Sequence, residues 1–131
     1  VGALARSMAT THLSGGHDVV LPQYFAKVDE ITEFEGLARA TGASFHEIVL
    51  LDNRQAAIDR FHHRARNTDD PWIRHHHRLL ERAGGSAVLG AMYDNLLEVV
   101  RLRPATIVLP SAAGAVTKTY ELLAEALTGR A

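Results

Sequence analysis

Apolar positions along this chain recur with helical spacing in some segments and as short unbroken runs in others. Ala3, Leu4, Met8 and Leu13 fall on one helical stripe over residues 3–14, and Gly15-Gly16 supplies a C-terminal stop. His17–Pro22 then carries Val19-Val20-Leu21, which predicts a buried strand over 18–22, ended by a proline that cannot donate to a ladder. From Lys27 to Ala40, Val28, Ile31, Phe34 and Leu37 return every three residues, with Asp29, Glu30, Glu33 and Glu35 on other faces. That pattern predicts a surface helix whose acids lie toward its N-terminal half, where they suit the dipole. The nearly continuous apolar run Phe45–Leu51 predicts a strand covered on both faces, and Asp52-Asn53 can cap the helix that follows.

That helix, from Arg54 to about Arg66, places Ala57, Ile58, Phe61 and Ala65 on its inner stripe. Asn67-Thr68-Asp69-Asp70-Pro71 is a cluster of turn formers and an ordinary helix start with proline in the first turn. A short polar helix over 72–83 ends at Gly84-Gly85, and Val88, Met92, Leu96, Val99 and Val100 mark another, closed by Pro104. Ala105–Leu109 predicts a third strand, Pro110–Gly114 a loop, and Val116, Tyr120, Leu123 and Leu127 a last helix. Strands alternating with helices indicate βαβ units, hence an α/β fold with a parallel sheet wrapped by helices. The helical pattern is already under way at Val1, which leads us to expect residues upstream.

With 131 residues, 47% of them hydrophobic and 22% charged, the chain has the material for one domain spanning 1–131. A net charge of −1 and a pI near 6.8 leave no basic excess for a phosphate backbone, so nucleic acid is not the expected partner. The lack of cysteine excludes disulfides, a thiolate nucleophile and cysteine-ligated zinc, and it suits a reducing compartment. No apolar run reaches the roughly 18 to 20 residues that span a bilayer, and residues 1–16 hold no signal-peptide core. A cytoplasmic location without a membrane partner is the expectation.

The run Phe45–Leu51, the cap Asp52-Asn53, Arg60-x-x-x-Arg64 on the next helix and the turn-rich insert after it occur here in one order. In that order the chain, from Asp18 onward, resembles the small P-loop kinases, the group of gluconate kinases, the zeta toxin and the chloramphenicol phosphotransferase type, and more distantly adenylate kinases. The resemblance implies a three-layer parallel sheet of the P-loop nucleoside triphosphate hydrolase type, with a lid at about residues 65–87. It implies ATP and Mg2+ as cofactors, and transfer of the γ-phosphoryl group to a small hydroxyl-bearing substrate. Arg60 would set its guanidinium plane against adenine, Arg64 would reach the phosphates from the base of the lid, and Arg66 would assist. Ser111, Ala112, Ala113 and Gly114 would line the adenine, and Gln23 and Tyr24 would face the acceptor at the carboxyl edge of the sheet. The chain departs from the pattern in having no G-x-x-x-x-G-K-[ST]; neither of its lysines, Lys27 and Lys118, follows a glycine. The missing strand and loop are therefore expected upstream, lying between the strands at 18–22 and 45–51, and the 131-residue chain alone is not expected to be active. Gln23 stands where many relatives carry an acid or a hydroxyl, so no magnesium ligand or general base is assigned.

Other features have plainer readings. Five of the eight histidines form His62-His63 and His75-His76-His77. Adjacent side chains on a helix diverge by about 100°, and His63 has no histidine four residues away, so these clusters read as a polar lid surface and no metal ligand is assigned. Trp72 is expected to pack its short helix onto the body. Ser111 has no histidine and aspartate partners that chain order singles out, which leaves a hydrolase triad without support. Two competing functional classes remain beside the kinase: a non-catalytic α/β interaction module, and a histidine-dependent metal-binding domain.

Overall fold

A computed structural model of the chain describes residues 2–129. Two of the three apolar runs pair with each other: β1 (Ile48–Leu51) and β2 (Ile107–Pro110) are parallel neighbours, with Ile48 opposite Ile107 and Leu51 opposite Pro110. The Ile107 N–H donates to Glu47 O at 2.9 Å and the Ser111 N–H to Leu51 O at 3.0 Å, which carries the ladder one residue past each end. Parallel neighbours cannot be joined by a tight turn. The whole stretch from Asp52 to Thr106 is therefore a crossover, and it is helical: α3 (Arg54–Arg66), α4 (Pro71–Ala83) and α5 (Ser86–Leu102). We number the helices outside the crossover α1 (Gly2–Ser14), α2 (Val28–Ala40) and α6 (Val116–Thr128). The described residues thus form a mixed α/β structure of six helices and a small two-stranded parallel sheet.

Local chemistry explains the boundaries. The Asn53 side chain accepts from the Ala56 N–H at 2.8 Å and caps α3, while Asp70 accepts from the Trp72 N–H at 2.9 Å with Pro71 opening α4. The α4–α5 break needs φ of 131° at Gly84 and 61° at Gly85, a region that side chains disfavour. Against α5, the Arg54 guanidinium lies directly over Gly90, where a Cβ would collide with it, on its way to Asp94 at 3.0 Å. Ala9, Ile31, Ala38, Ile58, Ala65, Val99 and Leu109 form the buried apolar set of the helices and β2.

Three expectations are corrected. Residues 18–22 form no strand: β1 and β2 are the only strands among the described residues, and Val20 is 88% exposed. A strand requires a backbone neighbour for its N–H and C=O groups; residues 18–22 have none among the described residues, and it is the stretch just after them, 24–26, that is anchored. Asn95 Nδ2 donates to Ala26 O at 2.8 Å, Tyr24 Oη donates to Met92 O at 3.2 Å, and the Phe25 and Phe34 rings lie 5.9 Å apart. Nor are the remaining strands covered on both faces, since Leu50 and Val108 are 49% and 43% exposed. Trp72, 69% exposed, does not pack onto the body; its indole lies 4.1 Å from the His76 ring on its own helix. No helix of the described residues is long and apolar enough to cross a membrane.

At the N-terminal end of the sheet, Arg103 joins three parts of the chain. Its Nε donates to Glu47, just before β1, and its NH2 to Glu35 of α2 at 3.0 Å, while Thr106 Oγ1 donates to Glu47 at 2.6 Å. Burial disfavours the charged guanidinium, but bonds and charge from Glu47 and Glu35 more than offset this and leave the group above its ordinary pKa. Replacing Arg103 with Met leaves the mostly buried Glu47 carboxylate without its cation. The expected loss is about 2 kcal/mol of unfolding free energy in urea, between the surface and fully buried cases. Thr106→Val, which removes one hydrogen bond to the same carboxylate, is expected to cost about 1 kcal/mol.

Candidate functional site

Parallel pairing puts the C-terminal ends of both strands on one side of the sheet, and the residues just past those ends meet there. Asp52 follows β1 and Ser111 follows β2; α3 starts two residues after Asp52 and carries Arg60 back over both. Arg60 NH2 donates to the Asp52 carboxylate and, at 2.7 Å, to Ser111 O. Asp52 is itself held, because Oδ1 accepts the Asn53 N–H at 2.8 Å and its backbone carbonyl accepts from Tyr93 Oη of α5 at 2.6 Å. Elements far apart in sequence thus fix the guanidinium plane. Arg60 Nε is buried and has no hydrogen-bond partner among the described residues.

One turn further along α3, the Arg64 guanidinium carbon lies 6.0 Å from the centroid of the Phe61 ring, and Arg64 has no ion-pair partner among the described residues. Between these groups is a cavity of about 220 Å³. Leu50, Ala57 and Phe61 give it an apolar floor, and Asp52, Arg60, Arg64 and Ser111 a polar rim. The exposure of Leu50 is explained by this hollow. An apolar floor with a fixed guanidinium and an uncommitted one suits a flat apolar group joined to an anion.

Of the residues singled out from the sequence, Arg60, Arg64 and Ser111 converge at this cavity. Ala112, Ala113 and Gly114 form the exposed turn into α6, with φ of 76° at Gly114, and do not line it. Gln23 is exposed, and the Tyr24 hydroxyl is engaged by Met92 and Asn95 of α5; neither residue lines the cavity. Arg66 ends α3, exposed. Asp52 and Phe61 also line the cavity, and the pattern did not single them out. Asp52 read as half of a cap, and Phe61 as a core position.

A second cluster lies between α3 and α4. His62 Nδ1 is 3.1 Å from His77 Nε2, and Glu81 Oε1 is 3.7 Å from the first and 3.5 Å from the second. These three side chains can hold a metal ion. The sequence criterion sought two histidines on one helix, whereas here one comes from each of two helices and the i, i+4 pair is His77 with Glu81. His75 and His76 stay outside the cluster, His76 Nδ1 lying 2.9 Å from Trp72 O. Compared with known proteins, the chain matches no family model, no curated protein and no solved structure.

The two arginines are expected to differ in stability. Arg60→Met strands the largely buried Asp52 carboxylate and is expected to cost about 1–2 kcal/mol in urea unfolding. Arg64→Met removes an exposed, unpaired charge and should stay within about 0.5 kcal/mol.

Proposed function

We propose that the cavity at the C-terminal ends of β1 and β2 binds a nucleotide, and that the complete protein is an ATP-dependent phosphotransferase acting on a small hydroxyl-bearing substrate. The observation that carries this reading is the meeting of Arg60, Arg64 and Ser111, residues of two separate segments, around one apolar hollow. Open α/β sheets bind their ligands at this edge. At about 220 Å³ the hollow is smaller than the roughly 300–1,000 Å³ that encloses a drug-sized ligand. It suits the base of a nucleotide, with the phosphates extending outward past Arg64.

In this reading Arg60, braced by Asp52 and Ser111 O, presents its plane to adenine, and Arg64 supplies a fork of donors to phosphate oxygens. Of the loop after β2, Ser111 borders the hollow while Ala112, Ala113 and Gly114 lie outside its lining, and Gln23 and Tyr24 belong to the acceptor side. Phosphoryl transfer relies mostly on positioning and charge stabilisation, so guanidinium groups held near the phosphates are the contribution this chain makes. Magnesium would arrive with ATP. The anion-binding loop and its strand come from outside residues 2–129 and complete a three-layer P-loop-type sheet on the side of β1 away from β2. Support for that position comes from the edge of β1 that has no strand beside it among the described residues. The insert at about 65–87, whose helix α4 has no buried residue, is the part suited to move as a lid.

A second reading, a non-catalytic interaction module, draws on the exposed Val20, Val116 and Tyr120, 88%, 79% and 68% accessible. Calorimetric titration of the full-length protein with ATP and Mg2+ separates the two. The kinase reading predicts saturable binding that Arg64→Ala weakens about 10- to 100-fold, the worth of a charge-assisted phosphate contact. A folded full-length protein that gives no heat with ATP would overturn it and leave the interaction module.

A further inference from the structure

The turn at residues 67–70 folds α4 back beside α3, and the Gly84-Gly85 break then brings the start of α5 to the same place. His62 of α3 faces His77 and Glu81 of α4, and Ser86 of α5 reaches the far side of the His62 ring. The three inward atoms, His62 Nδ1, His77 Nε2 and Glu81 Oε1, are separated by 3.1, 3.7 and 3.5 Å. A tetrahedral ion with bonds of about 2.0–2.2 Å sets its ligands about 3.3–3.6 Å apart. The triangle already has nearly that size.

We propose that His62, His77 and Glu81 form a zinc site, with a fourth, open position on the solvent side beside the half-exposed Glu81. Two imidazoles with one carboxylate favour Zn2+ and its transition-metal neighbours over Mg2+ or Ca2+, which take oxygen ligands. The surroundings fit. Ser86 Oγ lies 2.9 Å from His62 Nε2, so it can accept the Nε2–H and leave the Nδ1 lone pair directed at the ion. Phe61 stacks on His77 at 6.1 Å with 27° between the rings, and meets His62 edge-on, forming an apolar wall.

His62 Nδ1 and His77 Nε2 lie 3.1 Å apart, and an ion between them requires that both nitrogens present lone pairs, with any proton on His62 carried at Nε2 toward Ser86 Oγ. His62 lies two residues from Arg60, about 200° around α3. The zinc site therefore occupies the opposite face of the helix from the nucleotide cavity and stands independently of the kinase reading. A bound ion would cross-link α3 to α4 and pin the insert at its base.

Co2+ serves as a spectroscopic probe, titrated into this chain, with Zn2+ then displacing it in calorimetry. One equivalent of Co2+ should bind with the strong visible absorption of four-coordinate geometry. His62→Ala and His77→Ala should abolish that absorption, Glu81→Gln should weaken binding at least tenfold, and Ser86→Ala about tenfold, as an outer-shell partner does. His75→Ala with His76→Ala should leave affinity within twofold. Circular dichroism checks the fold of each variant. Should a histidine variant fail to fold, Glu81→Gln decides, since it keeps the side-chain shape at a half-exposed position. Unchanged binding in Glu81→Gln and in a folded His62→Ala, or loss confined to the His75/His76 variant, would overturn the site.

Discussion

The parallel ladder between β1 and β2 is the constraint on which the rest of this structure depends. Because both strands run the same way, the chain must travel from one end of the sheet back to the other between them, and α3, α4 and α5 occupy that journey. The same geometry puts Asp52 and Ser111 side by side, since each follows its strand on the same edge. Arg60 then closes the edge by bonding to both. At the opposite edge, Arg103 fastens Glu47, Glu35 and the approach to β2, so each end of the short ladder is held by a guanidinium. The two are used differently: Arg103 is spent on carboxylates in a mostly covered setting, whereas Arg60 borders a cavity.

Helix α3 works on two faces. Toward the sheet edge it presents Arg60 and Arg64, and toward α4 it presents His62. Phe61 lies between, its ring 6.0 Å from the Arg64 guanidinium carbon and 6.1 Å from the His77 ring. Phe61 thus borders both the cavity and the histidine pair, in a chain whose α4 has no buried residue of its own.

Much of the element order was legible in the sequence. Arg54–Arg66 was read with the boundaries it has, because Asn53 supplies a cap by its own side chain and the apolar stripe repeats over three turns. Gly84-Gly85 and the Asp70-Pro71 start acted equally locally. Residues 18–22 misled for a definite reason: Val19-Val20-Leu21 has the composition of a strand, but pairing depends on a neighbour, and the composition of a segment says nothing of its neighbour. Trp72 misled similarly. An indole at a helix start can turn inward or lie along its own helix, and only the surroundings choose.

For the site, the sequence by itself determined the two arginines one turn apart, the small-residue loop after the last strand and a chain without cysteine. These follow from residue identity and helical period. Only the tertiary structure decided that Asp52 orients Arg60, that Ser111 joins them through its carbonyl while Ala112–Gly114 turn away, and that His62 meets His77 rather than its own neighbours. The physical reason is distance. Caps, stripes and glycine turns are settled within a few residues, whereas these contacts exist because a parallel crossover folds separate helices against one another.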